Sequence, residues 1–251
     1  MTSPVLVTGS NRSGTTWVGE MLCESGELAY VHEAFNATNW PHLLDTDLQG
    51  HYTYVCKDNE ERYLAAVGRL LKYRMPIARN LKTMSKPLDP VRLVRESTKM
   101  TRARSRHLPL LLKDPIAFFS TEWLVDRFHF RPVVLVRHPA GFASSLIRLG
   151  WAYDFNFMVS QPLLLDHLLS DYAAEIYKFA AKPQPLIDQA ILLWRIFTHT
   201  TAQWRGEHPE WQILRYEDMA DAPVEQFRHL YGVLNLTWNG AVEDTVKDFS
   251  T

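Results

Sequence analysis

The hydrophobic positions along this 251-residue chain form short apolar runs that alternate with amphipathic segments. The first run, at 5–8, is rich in β-branched residues and ends at Gly9, which is typical of a buried parallel strand. Apolar residues of the next segment share one helical face, so the pattern predicts a helix over 15–24. Similar runs predict four more strands, at 28–32, 108–113, 131–136 and 211–214.

The remaining segments have either helical periodicity or none. Helices are predicted at 60–75, 90–104, 118–128, 139–149, 161–180, 185–206 and 223–234. Short apolar strands alternating with helices indicate one α/β domain over residues 1–251, a three-layer sandwich with a mostly parallel central sheet. The less regular stretch 34–107 is predicted to be a helical and loop insertion near the ligand, with a loop at 34–56.

The composition is that of a globular protein, with 46% hydrophobic and 22% charged residues. It excludes disordered, collagen-like and coiled-coil chains. Cys23 and Cys56 are too few for a disulfide framework or a cysteine-rich zinc site, which favours a reducing compartment. Because the chain has neither a signal peptide nor an apolar run near ~18 residues, we expect a cytoplasmic protein without stable membrane insertion.

The net charge of −1 hides an uneven distribution of charge along the chain. Residues 57–107 carry 14 Lys and Arg against 5 Asp and Glu, a net charge of +9, so the rest of the chain carries −10. A block this basic can attract an anionic ligand or partner. The alternative is that most of these charges lie on solvated helix surfaces.

The segment from Gly9 to Thr16 has the spacing of a phosphate-binding loop, with Thr15 where the lysine of G-x-x-x-x-G-K-[ST] stands. Its glycines let backbone N–H groups turn towards an anion, and the helix N-terminus adds partial positive charge. Arg12, Thr15 and Thr16 supply a cation and two hydroxyl donors. The missing lysine, and Arg137 where a magnesium-binding Asp would be useful, favour a phosphate ligand without a metal.

The run from Arg12 to Trp17 (Arg12, Ser13, Gly14, Thr15, Thr16 and Trp17) resembles the 5′-phosphosulfate loop of sulfotransferases that use 3′-phosphoadenosine-5′-phosphosulfate (PAPS). Arg137, at a strand end, precedes Ser145 by eight positions, which resembles the 3′-phosphate signature of that family. Trp17 and Tyr216 resemble its two adenine-contacting aromatic residues. The matches fall at 5–33, 111–149 and 211–234. They imply a P-loop-type fold with PAPS as co-substrate, 3′,5′-adenosine bisphosphate (PAP) as product and no metal.

The resemblance also implies the catalytic residues. Glu33 is placed like the general base of the carbohydrate and tyrosyl-protein branches. Lys113 begins a Lys-Asp-Pro motif similar to that of the tyrosyl-protein branch, whose lysine contacts the sulfuryl end of the donor. Glu33, Lys113 and Arg12 are therefore the expected catalytic residues, with His32 and His107 as alternative bases. His107 resembles the base of the small-molecule branch, although it lies before its strand.

The chain departs from the family pattern at its end. A segment that closes over the nucleotide usually follows the last helix, and none is recognised between residue 234 and Thr251. Either the segment is missing here or another part of the chain closes the pocket. The expected acceptor is a small-molecule, glycan, lipid or peptide hydroxyl, with no nucleic-acid partner. The competing functions are a nucleotide kinase with an atypical loop and a non-catalytic phosphonucleotide-binding module.

Overall fold

A computed structural model describes residues 3–249, and this part of the chain contains one five-stranded sheet. Every neighbouring pair of strands is parallel, and the strand order is β2-β3-β1-β4-β5. The strands are β1 (Val5–Gly9), β2 (Ala29–His32), β3 (Leu110–Lys113), β4 (Arg131–Val136) and β5 (Gln212–Arg215). All five predicted strands and the parallel α/β architecture are confirmed.

Thirteen α-helices lie within residues 3–249. The first seven are α1 (Thr15–Leu22), α2 (Glu61–Leu71), α3 (Ile77–Thr83), α4 (Asp89–Ser105), α5 (Thr121–Phe128), α6 (Pro139–Leu149) and α7 (Asn156–Val159). The others are α8 (Pro162–His167), α9 (Ala173–Ala181), α10 (Leu186–Glu207), α11 (Tyr216–Asp221), α12 (Pro223–Val233) and α13 (Gly240–Phe249). None of them is both long and apolar enough to cross a membrane.

Both faces of the sheet are buried, as the near-continuous apolar strands require. Val5 and Val7 point into one core with α1, α12 and α13, whereas Leu6 points into the other with the aromatic side chains of Phe118 and Trp204. This alternation follows from the two-residue period of a strand. The result is the three-layer sandwich predicted from the sequence.

β1 lies in the middle of the sheet, with β3 on one side and β4 on the other. The chain leaves β1 towards β2 and later returns to β4 on the opposite side, so the order of strands reverses at β1. Ligands of open parallel sheets bind at such a reversal, beyond the carboxyl ends of the strands. The loop after β1 and the ends of β2, β3 and β4 all lie at this edge.

Several predicted helices differ in detail. The helix predicted over 118–128 begins at Thr121, because Asp114 caps a preceding 3₁₀ turn (Pro115–Ser120) through the N–H groups of Ile116 and Ala117. The segment predicted over 161–180 is divided into α8, a 3₁₀ turn and α9.

The helix predicted over 223–234 is present as α12, but the prediction that it is the last helix was wrong. α13 follows it and buries Val242 and Val246, which lie one helical turn apart, against the core that contains α1.

The insertion between β2 and β3 contains a loop and the helices α2, α3 and α4. α2 buries Tyr63, Ala66, Val67 and Leu70, a spacing of three and four residues that forms one helical face. α4 buries only Leu93, Met100 and Ala103 among its apolar positions and leaves most of its basic side chains exposed. The basic segment is thus largely the outer surface of this insertion.

Candidate active site

A cavity of about 610 Å³ opens at the carboxyl edge of the sheet, above β1. The loop after β1, the ends of β2 and β3, and the residues that follow β4 and β5 contribute to its walls. Its lining residues are Asn11, Arg12, Gly14, Thr15, Thr16, Trp17, Glu20, Glu33, Lys113, Pro115, Arg137, Trp151, Tyr216, Ala220 and Phe249. Nine of the eleven residues that the sequence singles out therefore line one cavity.

The loop after β1 has the conformation that its glycines allow. Gly9 has φ 142° and Gly14 has φ 92°, values that side chains strongly disfavour. A Cβ at Gly9 would lie 2.2 Å from the Leu135 carbonyl oxygen. The Ser13 hydroxyl is buried and donates to the Ser10 carbonyl at 2.6 Å, so Ser13 shapes the loop and does not face the cavity.

The first turn of α1 begins directly after Gly14, and Thr15 and Thr16 line the cavity there. This turn contains no acidic side chain. Its N–H groups have no partner within the helix and give the N-terminus partial positive charge. Together with the two hydroxyls they form the kind of cradle that binds an anion.

Arg12, Arg137 and Ser145 form one connected cluster beside the loop. The Arg12 Nε donates to the Ser145 hydroxyl at 3.1 Å, and the Arg137 guanidinium donates to the Arg12 carbonyl at 2.7 Å. Ser145 is buried, whereas its neighbour Ser144 is exposed on another face of α6. The strand-end Arg137 and Ser145, two helical turns further on, are thus linked through Arg12, although Ser145 is not among the residues that line the cavity.

Aromatic rings cover the other side of this cluster. The Arg137 guanidinium lies 4.5 Å from the centre of the Tyr216 ring, and Trp17 packs edge-on against Tyr216 and Phe227. Trp17 Nε1 and Arg137 Nε are buried without a hydrogen-bond partner among residues 3–249. Unpartnered polar atoms of two cavity-lining residues are consistent with a ligand that supplies acceptors.

Glu33 and Lys113 form a close ion pair at the opposite wall. The backbone of Glu33 hydrogen-bonds to the Lys113 carbonyl as β2 ends, and Lys113 Nζ lies 2.6 Å from Glu33 Oε1. Lys113 is almost fully buried, and the side chain of Glu33 is 18% exposed. Asn36 donates to the other carboxylate oxygen at 2.9 Å. Two strands thus place one acid and one amine at the cavity wall.

The ion pair also determines the protonation of Glu33. Burial favours its neutral form, but the hydrogen bond and the positive charge of Lys113 outweigh burial and hold the pKa of Glu33 below its usual value. Glu33 is therefore ionised at neutral pH and can accept a proton.

Asp114 is buried and holds the wall behind Lys113. Its carboxylate accepts the N–H groups of Phe35, Ile116 and Ala117, which ties the segment after β2 to the turn after β3. Burial raises the pKa of Asp114 to about 7, although the N–H donors oppose this rise. Asp114 positions the residues around Glu33 and does not line the cavity.

The two histidines considered as alternative bases lie at different places. His32 is half-exposed beside the cavity wall, with Nε2 3.6 Å from Glu33 Oε1, and burial together with the charge of Lys113 lowers its pKa. His107 lies before the amino end of β3, whereas Lys113 lies at the carboxyl end of this strand. Because the strands are parallel, their amino ends cannot reach the cavity at their carboxyl ends.

Six cavity residues were not singled out in the sequence as site residues, namely Asn11, Glu20, Pro115, Trp151, Ala220 and Phe249. Glu20 lies one turn along α1 from Thr16, so helical spacing could have identified it. Trp151 follows α6, and Phe249 ends α13. No motif marks these two aromatic residues, and they reach the cavity only because of the tertiary fold.

Two groups of potential metal ligands occur among the described residues. One consists of Cys56, Asp58 and His167, and the other of Glu122, Glu207 and His208. None of these residues lines the cavity. His42 and His51, in the loop at 34–56, belong to neither group.

Comparison with known proteins agrees with this fold. The chain is similar to a sulfotransferase domain from the curacin biosynthetic pathway, with 14% identity, a TM-score of 0.51, and coverage of 96% of this chain and 77% of that one. It is also similar to sulfotransferase STF9 from Mycobacterium avium, with 14% identity, a TM-score of 0.48, and coverage of 99% and 68%. At 14% identity, the likeness to the curacin-pathway domain supports the fold alone.

Sequence comparison supplies the family. No individual curated protein matches the chain. The profile described as "Sulfotransferase family" matches residues 4–240, which includes the loop after β1 and the ends of all five strands. On this match over nearly its whole length, the chain belongs to the sulfotransferase family.

Proposed function

We propose that this protein transfers a sulfuryl group from PAPS to an acceptor hydroxyl, with Glu33 as the general base. The observation that carries the proposal is the 2.6 Å pair of Glu33 and Lys113 in the same cavity as an anion-binding loop. This combination offers a proton acceptor and a cation beside the place where a phosphosulfate would bind.

The residues around the cavity fit the donor. The loop amides, Arg12, Thr15 and Thr16 would hold the 5′-phosphosulfate, and Arg137 with Ser145 would hold the 3′-phosphate. Trp17 and Tyr216 offer aromatic surface for the base. The support for this assignment is the set of unpartnered polar atoms, the helix N-terminus at the cavity and the hydrogen bond from Arg12 to the buried Ser145.

The chemistry of the step follows from charge. Glu33, ionised at neutral pH, takes the proton from the acceptor hydroxyl and makes its oxygen nucleophilic. When bound, PAPS supplies the sulfuryl group, so a bond forms from the acceptor oxygen to sulfur and the bond to the bridging oxygen breaks with its electron pair on PAP. Arg12 and Lys113 offer positive charge for the oxygen that becomes negative.

Lys113 has two potential anionic partners in this scheme. In the structure it bonds to Glu33, and its nearly complete burial makes an unpaired ammonium costly. A sulfuryl group at the cavity wall competes for the same Nζ. Diverting Lys113 from Glu33 would raise the pKa of Glu33 and make it a stronger base at the moment when the donor is bound.

A thermal-shift comparison of PAP, PAPS, ADP and ATP, with and without Mg²⁺, tests the donor. PAP should stabilise the protein more than ADP, and without a need for Mg²⁺. A kinase would instead respond to ATP with Mg²⁺. PAP binding without sulfuryl transfer to any acceptor in a broad panel would favour the non-catalytic module.

The Arg137→Ala variant sharpens this test. A charged hydrogen bond contributes ~1.5–3 kcal/mol, so PAP should bind roughly ten- to a hundredfold more weakly and ADP nearly unchanged. Arg148→Ala, which removes an exposed arginine from the last turn of the neighbouring helix α6, is the matched control. Isothermal titration calorimetry with both nucleotides measures the contrast. Equal losses for PAP and ADP would remove Arg137 from the 3′-phosphate site.

A further inference from the structure

A second groove, of about 590 Å³, runs along the outer edge of the sheet next to the candidate base. β2 is the edge strand, and α4 of the insertion lies alongside it. The groove is lined by Tyr30, His32, Asn39, Trp40, Pro41, Leu43, Arg92, Arg95, Glu96 and Lys99. It does not share a lining residue with the cavity described above.

The groove reaches the reaction site through His32. This side chain lines the groove, and its Nε2 lies 3.6 Å from Glu33 Oε1, which lines the first cavity. The Tyr30 hydroxyl lies 3.4 Å from the other nitrogen of His32. The His32 side chain therefore separates the groove from Glu33, and a molecule that extends along α4 would reach Glu33 with a hydroxyl past this side chain.

The charge of the groove comes from one face of α4. Arg92, Arg95 and Lys99 follow each other at spacings of three and four residues, so they form one stripe about 10 Å long at 1.5 Å per residue. Lys99 pairs with Glu96 at 3.4 Å. Neither arginine forms an ion pair with a carboxylate within residues 3–249, and the groove has a net positive charge.

The opposite side of the groove is aromatic. The rings of Tyr30 and Trp40 line it, and the Trp40 Nε1 donates to the Thr83 hydroxyl, which fixes the indole on the insertion. Aromatic faces bind flat apolar surface, while unpaired guanidinium groups bind carboxylates and sulfates. The two sides together are suited to a ring that carries a negative charge.

Resting on the proposed function, we propose that this groove is the acceptor site, and that the acceptor is a hydroxylated ring compound bearing a carboxylate or sulfate group. Arg92 and Arg95 bind the anionic group, Tyr30 and Trp40 hold the ring, and the hydroxyl lies at Glu33. Two of the basic residues of the insertion thus have a specific role at the acceptor end, apart from the cations that face the donor.

Two matched pairs of probe compounds test this. The first is 4-hydroxyphenylacetate with its neutral analogue 4-hydroxyphenethyl alcohol, and the second is methyl β-glucuronide with methyl β-glucoside. Binding to the PAP-loaded protein is measured by saturation-transfer NMR titration, which needs no turnover. Transfer from radiolabelled PAPS is measured separately, so that loss of catalysis and loss of acceptor binding are distinguished.

We expect the anionic member of at least one pair to bind about tenfold more tightly than the neutral member, which is the contribution of one charged hydrogen bond. In the double variant Arg92→Gln/Arg95→Gln this preference should disappear, while PAP binding stays unchanged. Arg104→Gln removes an exposed arginine about 150° around α4 from the stripe and should keep the preference.

The outcomes separate the two proposals. Anionic preference that depends on Arg92 and Arg95 supports the acceptor groove even if no sulfated product forms, in which case the proposed transfer fails by itself. Equal binding of both members of each pair, no binding of any probe, or the same loss in Arg104→Gln would overturn the acceptor groove. If a neutral compound is sulfated, and the double variant Arg92→Gln/Arg95→Gln sulfates it at the wild-type rate, the acceptor groove is overturned as well. The transferase proposal then remains intact.

Discussion

At the scale of single residues, the carboxylate of Glu33 is the group on which the proposed chemistry depends. The end of β2 gives it a backbone φ of 45°, and the hydrogen bonds from Lys113 and Asn36 fix both of its oxygens. An acid held this way has one orientation towards the cavity. Catalytic groups are commonly positioned by such neighbours, which is the role that Asn36 plays here.

Replacing Glu33 by Gln should remove most sulfuryl transfer and keep PAP binding. The amide has the shape of the acid but cannot accept a proton, and a general base contributes ~10²–10⁴-fold to the rate. Turnover is measured with radiolabelled PAPS and PAP binding by calorimetry. His107→Ala is the control, because this residue lies at the far edge of the sheet. Near-normal turnover in Glu33→Gln and a collapse in His32→Ala would assign the base to the histidine.

The pH dependence follows from the lowered pKa of Glu33. Activity falls as this carboxylate is protonated, so the acidic limb of kcat/KM for PAPS, which reports the donor-free protein, should lie below the usual value of 4.5 and the profile should be flat through neutral pH. The measurement is kcat/KM between pH 4 and 8 for the wild type and for His32→Ala. A limb that is lost in His32→Ala would contradict the carboxylate base.

At the scale of elements, a buried asparagine in α3 ties the loop after β2 to the helices of the insertion. Asn80 accepts the His42 N–H at 2.7 Å and donates to the carbonyls of His42 and Pro76 at 2.9 and 3.1 Å. It fixes the loop that carries Trp40 beside α4. The width of the groove therefore depends on a side chain that does not line it.

Replacing Asn80 by Ala should destabilise the protein by ~2–3 kcal/mol, because it leaves buried backbone groups of His42 without partners. Urea unfolding measures the loss, and hydrogen exchange should show faster exchange in the loop around Trp40. PAP affinity should stay unchanged, since the donor cavity is built from other elements. If the exchange rate of this loop is unchanged while other parts of the protein lose protection from exchange, the local role of Asn80 is contradicted.

At the scale of the whole molecule, segments that are far apart in the sequence meet at one cavity. The loop after β1 forms one wall, and Phe249 at the end of α13 forms another. α13 reaches this place because Val242 and Val246 pack into the core that also contains Val18 of α1. Core packing of α13 thus sets the position of Phe249, which lies 240 positions after Gly9 of the loop that forms the other wall.

Replacing Val246 by Ala should lower the free energy of unfolding by ~1–2 kcal/mol, since two buried carbon atoms are removed and a void remains. Asp244→Ala, an exposed position on the same helix, should stay within ~0.5 kcal/mol of the wild type. Urea unfolding measures both variants. Equal stability of Val246→Ala and the wild type would contradict the packing of α13 in this core.

The sequence alone determined the fold class and most residues of the cavity proposed to bind the donor. Apolar runs mark the strands, and in a parallel sheet the residues that follow them must meet at one edge, which brings Arg12, Glu33, Lys113 and Arg137 together. The spacing of Arg137 and Ser145 places the serine rather than its neighbour towards the loop, because of the helical turn.

Only the tertiary structure decided the rest. The pairing of Glu33 with Lys113 depends on the register of β2 against β3. Phe249 reaches the cavity through core contacts, and the groove combines an edge strand with a helix some sixty residues away along the chain. Such contacts depend on how distant apolar faces pack together, and local periodicity does not encode which face meets which.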